Sequence, residues 1–392
     1  MRVLHVIPSI GGTRGGPSFV LRTLARSQAE RGMDVHVATT DDNGPGRLAV
    51  EAGGSYIEDQ VTYRIFRRQT KFYTFSFPLT LWLWRHVSDY DVIHIHALFS
   101  YPSILAAWCA KLKCVPYIVR PLGVLNNWGM SHRRPKLKRF SFRWIDGRVL
   151  RDAAAVHFTS EQESAEAAQL GVRYVPLLIS NPVDLLASAE EPGTFRAAHP
   201  ILAGKTVILF LSRIDPKKGI DLLLDAFARL KANHSDVALV IAGDGDPVFV
   251  ESLRARAHEL GMADEILWVG FLDGENKRSA LADADIFVLS SYSENFGVAV
   301  VEAMGAGLPV IVSDQVGLHR DISMAGAGLV VECFVPQIEA ALATLVEDSA
   351  LRSKMAANAR RLAQRFAPQE IALQLENAYS AIRKVDVAAI AI

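Results

Sequence analysis

The chain has 392 residues, enough for two to three domains, and half of them are hydrophobic, so large cores are within reach. Forty-two Lys and Arg side chains balance forty-two Asp and Glu, leaving no charge excess to attract nucleic acid, and no nucleic-acid partner is expected. Cys109, Cys114 and Cys333 form no CxxC pair and no zinc-like cluster, which excludes a disulfide scaffold and suits a reducing compartment.

In chain order, "RVLHVI" runs straight into glycines and predicts a first strand rather than a secretory leader. "SFVLRTLARSQAERG" has helical spacing, Gly32 stops it, and "DVHVATT" predicts a second strand. The strand "YDVIHIH", the helix "SILAAWCAKLK" and the strands "PYIVRP" and "AAVHFTS" follow. Strand, helix, strand at this spacing predicts a parallel sheet with crossover helices. A polar segment after Asn181-Pro182 then interrupts the pattern until near Gly204. There it restarts through "KTVILFLSRI", "GIDLLLDAFARLKANH", "VALVIAGDG", "EILWVGF", "ADIFVLSS" and "PVIVSD". The expected class is α/β: two doubly wound Rossmann-like domains, residues 1–184 and 185–370, joined near Asn181–Pro200. A C-terminal helix over about 371–392 is expected to pack back on the first domain. Ligands of open parallel sheets sit beyond the carboxyl ends of the strands, so a ligand is expected in a cleft where the two domains face each other. No stretch reaches the roughly 18 apolar residues of a bilayer-spanning helix. The expected location is cytoplasmic, with peripheral contact at the inner face of the plasma membrane.

Three places concentrate chemistry. "GGTRGGP", Gly11 to Pro17, lies between the first strand and the first helix, where glycines let backbone amides approach a phosphate. Its spacing is not GxGxxG, so the dinucleotide fingerprint is unmet even though Asp41 and Asp42 follow the second strand. "SRIDPKKG" places Arg213 and Lys218 on a loop between a strand and a helix, where two cations suit a diphosphate; a solvated basic loop is the plainer reading. "SENFGVAVVEAMGAG" puts Glu294 in a turn and Glu302 inside the helix that begins near Val298. The first free amides of that helix form an anion site. Carboxylates repel phosphate and accept from sugar hydroxyls, so two acids flanking that site suit ribose on one side and hexose on the other. Glu302 lies in an apolar run, and a buried carboxylate requires a partner.

These motifs together resemble family 4 retaining glycosyltransferases of the GT-B fold. "SRIDPKKG", "AGDGD", "WVGFLDGEN", the E-x7-E run and "GAGLPVIVSD" occur in that family's order, and the likeness extends to "GGP" and "DVIHIHALFSYPS". The chain is also similar to cyanobacterial enzymes that build heterocyst-envelope polysaccharide. The resemblance implies transfer of a hexose from a nucleotide diphospho-sugar, a UDP-sugar such as UDP-glucose, in exopolysaccharide biosynthesis. It implies that Glu302 holds the ribose hydroxyls and that Arg213 and Lys218 neutralise the diphosphate. Glu294 and the backbone of Asn295, Phe296 and Gly297 would bind the sugar, and the Val298 and Ala299 amides would face the distal phosphate. Phe271 and Leu272 would read the base through their backbone, Gly15 and Gly16 would approach the diphosphate, and His96 would lie near the sugar or acceptor. Arg213, Lys218 and Glu294 form the implied catalytic set. The chemistry implied is front-side attack that retains configuration, with no protein nucleophile, no cofactor and no metal.

Some features point elsewhere. Asp89–Asp91, "DYD", imitates a metal-binding DxD but precedes a strand instead of following one, so it reads as turn charge. His94 and His96 alternate onto one strand face as a metal pair would, with no third ligand evident, and a structural role for His96 is the equal alternative. Where many relatives carry histidine, "RPLGV" has Leu122, and Arg120 or Asn126 are the candidate substitutes. The stretch Met130–Arg151 carries Arg133, Arg134, Lys136, Lys138, Arg139 and Arg143 among Phe140, Phe142 and Trp144, with Asp146 its sole acid. With the aromatic run Phe72–Trp84, it suits an anionic membrane surface and a saccharide or polyprenyl-diphosphate-linked saccharide acceptor; a solvated helix beside core is the plainer reading. Two other functions share the expected architecture: sugar-nucleotide 2-epimerisation and binding of nucleotide-sugars without turnover.

Overall fold

A computed structural model describes residues 1–12, 15–49, 54–131, 134–185 and 193–390. Thr13 and Arg14 of the glycine loop, Arg133 of the basic stretch and residues 186–192 of the expected linker lie outside the described residues. The chain divides into two units. One comprises Met1–Val183 with Ala367–Ile392, the other Asp184–Phe366.

In the first unit the strands are β1 (Arg2–Ser9), β2 (Asp34–Thr40), the short hairpin β3 (Asp42–Asn43) and β4 (Gly46–Arg47), β5 (Ser55–Glu58), β6 (Val61–Phe66), β7 (Val92–His96), β8 (Tyr117–Arg120), β9 (Ala155–Phe158) and β10 (Pro176–Leu178). The eight-stranded sheet has the order β10-β9-β8-β7-β1-β2-β6-β5. Its strands are fully buried runs at the centre, as expected where helices cover both faces. The sheet is not wholly parallel. β5 and β6 pair antiparallel through a tight turn at Asp59 and Gln60, both at positive φ, so β5 closes the edge as one arm of a hairpin. The helix Pro368–Ile390 belongs to this unit, beginning at a proline suited to a first turn. It is held there by Arg31 to Glu376 (2.7 Å) and Arg383 to Asp91 (2.9 Å), with Tyr379 inserted into the core.

In the second unit β11 (Thr206–Leu211), β12 (Val237–Ala242), β13 (Ile266–Gly270), β14 (Ile286–Leu289), β15 (Val310–Ser313) and β16 (Gly328–Val331) form a parallel sheet of order β13-β12-β11-β14-β15-β16. The chain winds outward from β11 through β13, then returns to the other side at β14. The switch point therefore lies between β11 and β14, where the loops leaving the two strands part and open a crevice.

Glycines let those loops pack against one another. Gly243 has φ 144°, and a Cβ there would run into the Ser212 carbonyl; a Cβ at Gly219, φ 64°, would meet the Ser290 carbonyl. Main-chain hydrogen bonds use the closeness: Gly243 N–H to Gly270 O (2.7 Å), Ile214 N–H to Asp244 O (2.8 Å) and Tyr292 N–H to Lys217 O (2.8 Å). The carboxyl-end loops are thus laced into one rim. Gly243→Ala should destabilise the second unit by more than about 2 kcal/mol, because both the left-hand conformation and the backbone contact are lost. Chemical denaturation checks this, and a change within error of zero would contradict the lacing.

Candidate active site

The rim's centre is a buried ion pair. Lys218 ends a short 3-10 turn after β11, where Asp215 accepts from the Lys217 N–H at 3.1 Å. Glu294 stands after β14, its backbone clamped on both sides: its N–H donates to Gln315 O (3.0 Å) and its carbonyl accepts from Gly317 N–H (2.9 Å). The Lys218 Nζ donates to Glu294 Oε2, and both side chains are largely buried. The cation expected for the diphosphate and the acid expected for the sugar are therefore partners of each other in this structure. Lysine has three donors and a carboxylate several acceptor sites, so both retain bonding capacity.

Burial alone would raise the Glu294 pKa, but the Lys218 and Lys217 charges and the Phe296 N–H outweigh it and hold the group below its ordinary value of 4.5. Lys217 lies in the same field. Burial pushes its pKa down, the Glu294 charge raises it, and Lys218 and Arg213 lower it further. Arg213 is exposed and forms no ion pair among the described residues. Lys218 and Lys217 thus act on the Glu294 carboxylate, and Arg213 acts on Lys217, leaving positive charge available to an anion.

Directly after this turn Gly297, φ 94°, caps the nine-residue helix Val298–Ala306. Phe296 is buried against Phe366 at 5.7 Å between ring centroids, which fixes the turn. Val298 and Ala299 are half-buried at the first turn, where helix amides lack intrahelical acceptors. Glu302, one turn on, does have the partner its apolar setting required: Lys277 Nζ at 2.7 Å, from the helix Gly274–Asp283. Phe271 is exposed and Leu272 half-buried between β13 and that helix, on the same rim. Sequence reasoning missed Lys217 and Lys277. "PKKG" shows Lys217 in plain view, but nothing in the sequence pairs Lys277 with a carboxylate 25 positions away on another helix.

In the first unit Gly15, φ 72°, caps the helix Gly16–Glu30, and a Cβ on Gly16 would meet nothing within 4 Å. His96 ends β7 in a fully buried cluster that also contains His5, His94 and His157. The third imidazole not evident in the sequence is His5, brought in by β1: one ring nitrogen from each of His5, His94 and His96 lies within 4.8 Å of the others. Arg120 ends the neighbouring β8, fully buried and bonded to Asn181. The residue in the histidine's place, Leu122, adopts φ 61°, an uncommon conformation for leucine. Asp41 is engaged with Arg47 and Asp42 with Arg68, and Asp91 holds the Arg2 N–H (2.7 Å) and Arg383. These acids serve the architecture.

Comparison with known proteins bears on the family and the fold. Residues 15–182 match the glycosyl transferase 4-like domain and residues 193–362 the glycosyl transferases group 1 model. A phosphatidyl-myo-inositol mannosyltransferase of Mycobacterium leprae is 30% identical over 97% of this chain and 97% of its own. The GDP-mannose:cellobiosyl-diphosphopolyprenol alpha-mannosyltransferase of Komagataeibacter xylinus is 28% identical over 84% of this chain and 80% of its own. Among solved structures, Anabaena HepE in complex with UDP superposes with a TM-score of 0.78 at 21% identity, covering 97% of this chain and 100% of that one. Sucrose-phosphate synthase of Thermosynechococcus elongatus gives 0.78 at 22%, covering 98% and 100%. At those identities the structures speak to fold.

The depressed Glu294 pKa gives a pH signature. The ion pair's contribution to stability is full above the ordinary carboxyl value of 4.5 and is lost as pH falls through the lower folded value. Lys218→Met should move the Glu294 titration up past 4.5, since burial then dominates; carboxyl 13C NMR reads it, and an unmoved midpoint would refute the pairing.

Motif order, two doubly wound parallel-sheet units and relatives aligned over nearly the whole length converge: this chain belongs to the family 4-type glycosyltransferases of the GT-B fold.

Proposed function

We propose that this glycosyltransferase is a retaining, metal-independent hexosyltransferase that uses a nucleoside diphospho-sugar and a saccharide or polyprenyl-diphosphate-linked saccharide acceptor in exopolysaccharide assembly. The observation that carries the proposal is the Lys218–Glu294 pair beside exposed Arg213 at the β11/β14 switch point, next to the start of the helix Val298–Ala306. Positive charge and helix amides suit a diphosphate, and carboxylates on the same rim suit hydroxyls.

In the proposed reaction the acceptor hydroxyl forms the new bond to the anomeric carbon on the face that the diphosphate leaves. Its proton passes to the departing phosphate oxygen. Arg213 and Lys218 neutralise that leaving group in place of a metal, and Glu294 with the Asn295–Gly297 backbone positions the sugar. Glu302, steadied by Lys277, holds the ribose. Phe271 and Leu272 read the base through their backbone. The family's pattern also gives Gly15, Gly16 and His96 of the first unit to the substrates.

UDP-glucose is the first donor to test, because it is the donor that the motif resemblance implies. GDP-mannose is the second reading, favoured by the higher identity to the Komagataeibacter enzyme whose name contains it. That name also contains a diphosphopolyprenol acceptor, in keeping with the lipid-linked acceptor proposed here.

The proposed location is the cytoplasmic face of an anionic membrane. No described helix is long and apolar enough to cross a bilayer. Phe140 and Trp144 are exposed among Lys136, Lys138, Arg139 and Arg143, while Asp146 is buried, accepting from the Phe99 N–H (3.0 Å) and the Ser141 hydroxyl (2.5 Å). Lys136, Arg139 and Arg143 are exposed, Lys138 is half-buried with its Nζ donating to Gly129 O (2.5 Å), and the acid is kept inside. Binding to anionic vesicles in co-sedimentation, weakened by salt, is the expected result; no binding at low salt would end this part of the proposal.

Product analysis with UDP-glucose and GDP-mannose separates the readings. A released nucleoside diphosphate with a new glycoside means transfer, an altered sugar on an intact nucleotide means epimerisation, and unchanged donor with measurable binding means a binding protein. Arg213→Ala or Lys218→Ala should weaken UDP or GDP binding about ten- to hundredfold by calorimetry, the loss of one charge-assisted contact. Glu302→Ala should weaken the nucleotide as well, whereas Glu294→Ala should spare it and lower turnover. A chelator should leave the rate unchanged. Wild-type behaviour in all four variants would place the site elsewhere.

A further inference from the structure

The C-terminal helix Pro368–Ile390 docks on the first unit through a buried line of polar groups whose polarity is fixed. A carbonyl can only accept, so His157 donates from Nε2 to Ile179 O (2.7 Å) and accepts at Nδ1 from His94 Nε2 (3.2 Å). His94 accepts at Nδ1 from the Tyr379 hydroxyl (2.7 Å), which itself accepts from the Gln28 amide nitrogen (3.1 Å). The Gln28 carbonyl oxygen accepts from His5 Nε2 (2.7 Å), and His5 Nδ1 accepts from His96 Nε2 (2.9 Å). Rings on β1, β7 and β9 are thereby joined to the helix Gly16–Glu30 and, through Tyr379, to the end of the chain.

This line resists an added proton. On His94 Nδ1 a proton would face the O–H of Tyr379. On His157 Nδ1 it would face the N–H of His94, and moving the His94 proton to Nδ1 only passes the conflict on to Tyr379. Both routes end on the C-terminal helix. No counter-charge compensates. Arg120 on β8 is the charged side chain that acts on all four rings, and it is a cation. Glu163 acts on Arg120, and its oxygens already accept from the Gly123 N–H (2.7 Å), the Thr159 N–H (2.8 Å) and the Thr159 hydroxyl (2.9 Å). Burial first, then the neighbouring cations and rings, keep the imidazoles neutral: His5 is lowered to about 4, His157 to about 3, and His94 and His96 well below 6.5.

We propose that the line is an acid-released latch: protons taken up by His94 and His157 undock the helix Pro368–Ile390 while the sheet beneath it stays folded. The rings sit on strands paired on both sides, β7 between β8 and β1 and β9 between β10 and β8, so the sheet resists opening. The helix is attached by side chains alone. Ile371, Leu375 and Tyr379 reach the core, and Arg31–Glu376, Arg383–Asp91 and Gln369–Glu30 lie at the rim, where partly exposed pairs contribute little and none contains a histidine. Because the docked rings have lowered values, their contribution to docking is full above 6.5 and is lost as pH falls below it towards those lower values. Between pH 7 and pH 5 each ring freed to its ordinary 6.5 favours release about 25-fold, and the two together about 600-fold. The latch is independent of the substrates proposed above.

Hydrogen–deuterium exchange mass spectrometry on the full chain at pH 7 and pH 5, corrected for the intrinsic pH dependence of amide exchange, tests it. Amides of residues 371–383 should exchange faster at pH 5 by about 600-fold, β1 and β7 should keep their protection, and return to pH 7 should restore the helix. His94→Gln keeps a donor and an acceptor but has no proton site, and should cut that ratio about 25-fold. Arg31→Gln combined with Arg383→Gln should loosen the helix equally at both pH values and leave the ratio unchanged. Equal corrected exchange at both pH values, protection lost alike by the helix, β1 and β7, a ratio unaltered by His94→Gln, or a ratio abolished by the arginine changes would each overturn the latch. The wild-type profile decides even if His94→Gln does not fold.

Discussion

Everything in the second unit turns on a lysine and a glutamate that share a buried place at the switch point. Lys218 and Glu294 leave different strands, β11 and β14, and meet only because Gly219 allows the Ser290 carbonyl to approach as a side chain would not. Neither charge would be stable there alone, since burial opposes each. Together they give the rim a fixed polarity. Half-buried Lys217 and exposed Arg213 then add net positive charge, and the start of the helix Val298–Ala306 adds its own partial charge to the same unit's rim.

The same economy appears in the first unit, with hydrogen bonds in the place of an ion pair. Four imidazoles, a glutamine and a tyrosine lie in a line across the sheet face, drawn from five separate segments including the C-terminal helix. Neutral rings suit such a place because each offers one donor and one acceptor, so the line closes without unpaired charge. Arg120 is the exception: it is charged, buried and only partly bonded. The closing helix is held to the sheet by Tyr379, so the line's integrity and the helix's docking are one packing problem.

Much of the fold was legible in the sequence. Alternating β-branched runs and helical spacings pointed to two Rossmann-like α/β halves with mainly parallel sheets, because hydrophobic period is a local property. The edge hairpin at Asp59 and Gln60 was not legible, since the residues in its turn are not the glycine or asparagine that favour such a turn. Leu122 was visible as a departure from the family's pattern, but its left-handed backbone was not. Glu302 was recognisable as a carboxylate in need of a partner; Lys277 as that partner was not, because the pairing depends on how two helices lie together.

What the sequence by itself determined is the class, the motif order and the inventory of charges after the strands, all set by short-range spacing. Only the tertiary structure decided which charges meet. It joined Lys218 to Glu294, gave Asp41 and Asp42 to arginines, and brought His5 beside His94 and His96. The physical reason is that a parallel sheet places its carboxyl ends side by side however far apart they are in the chain. Contact there depends on strand order, which no local pattern contains.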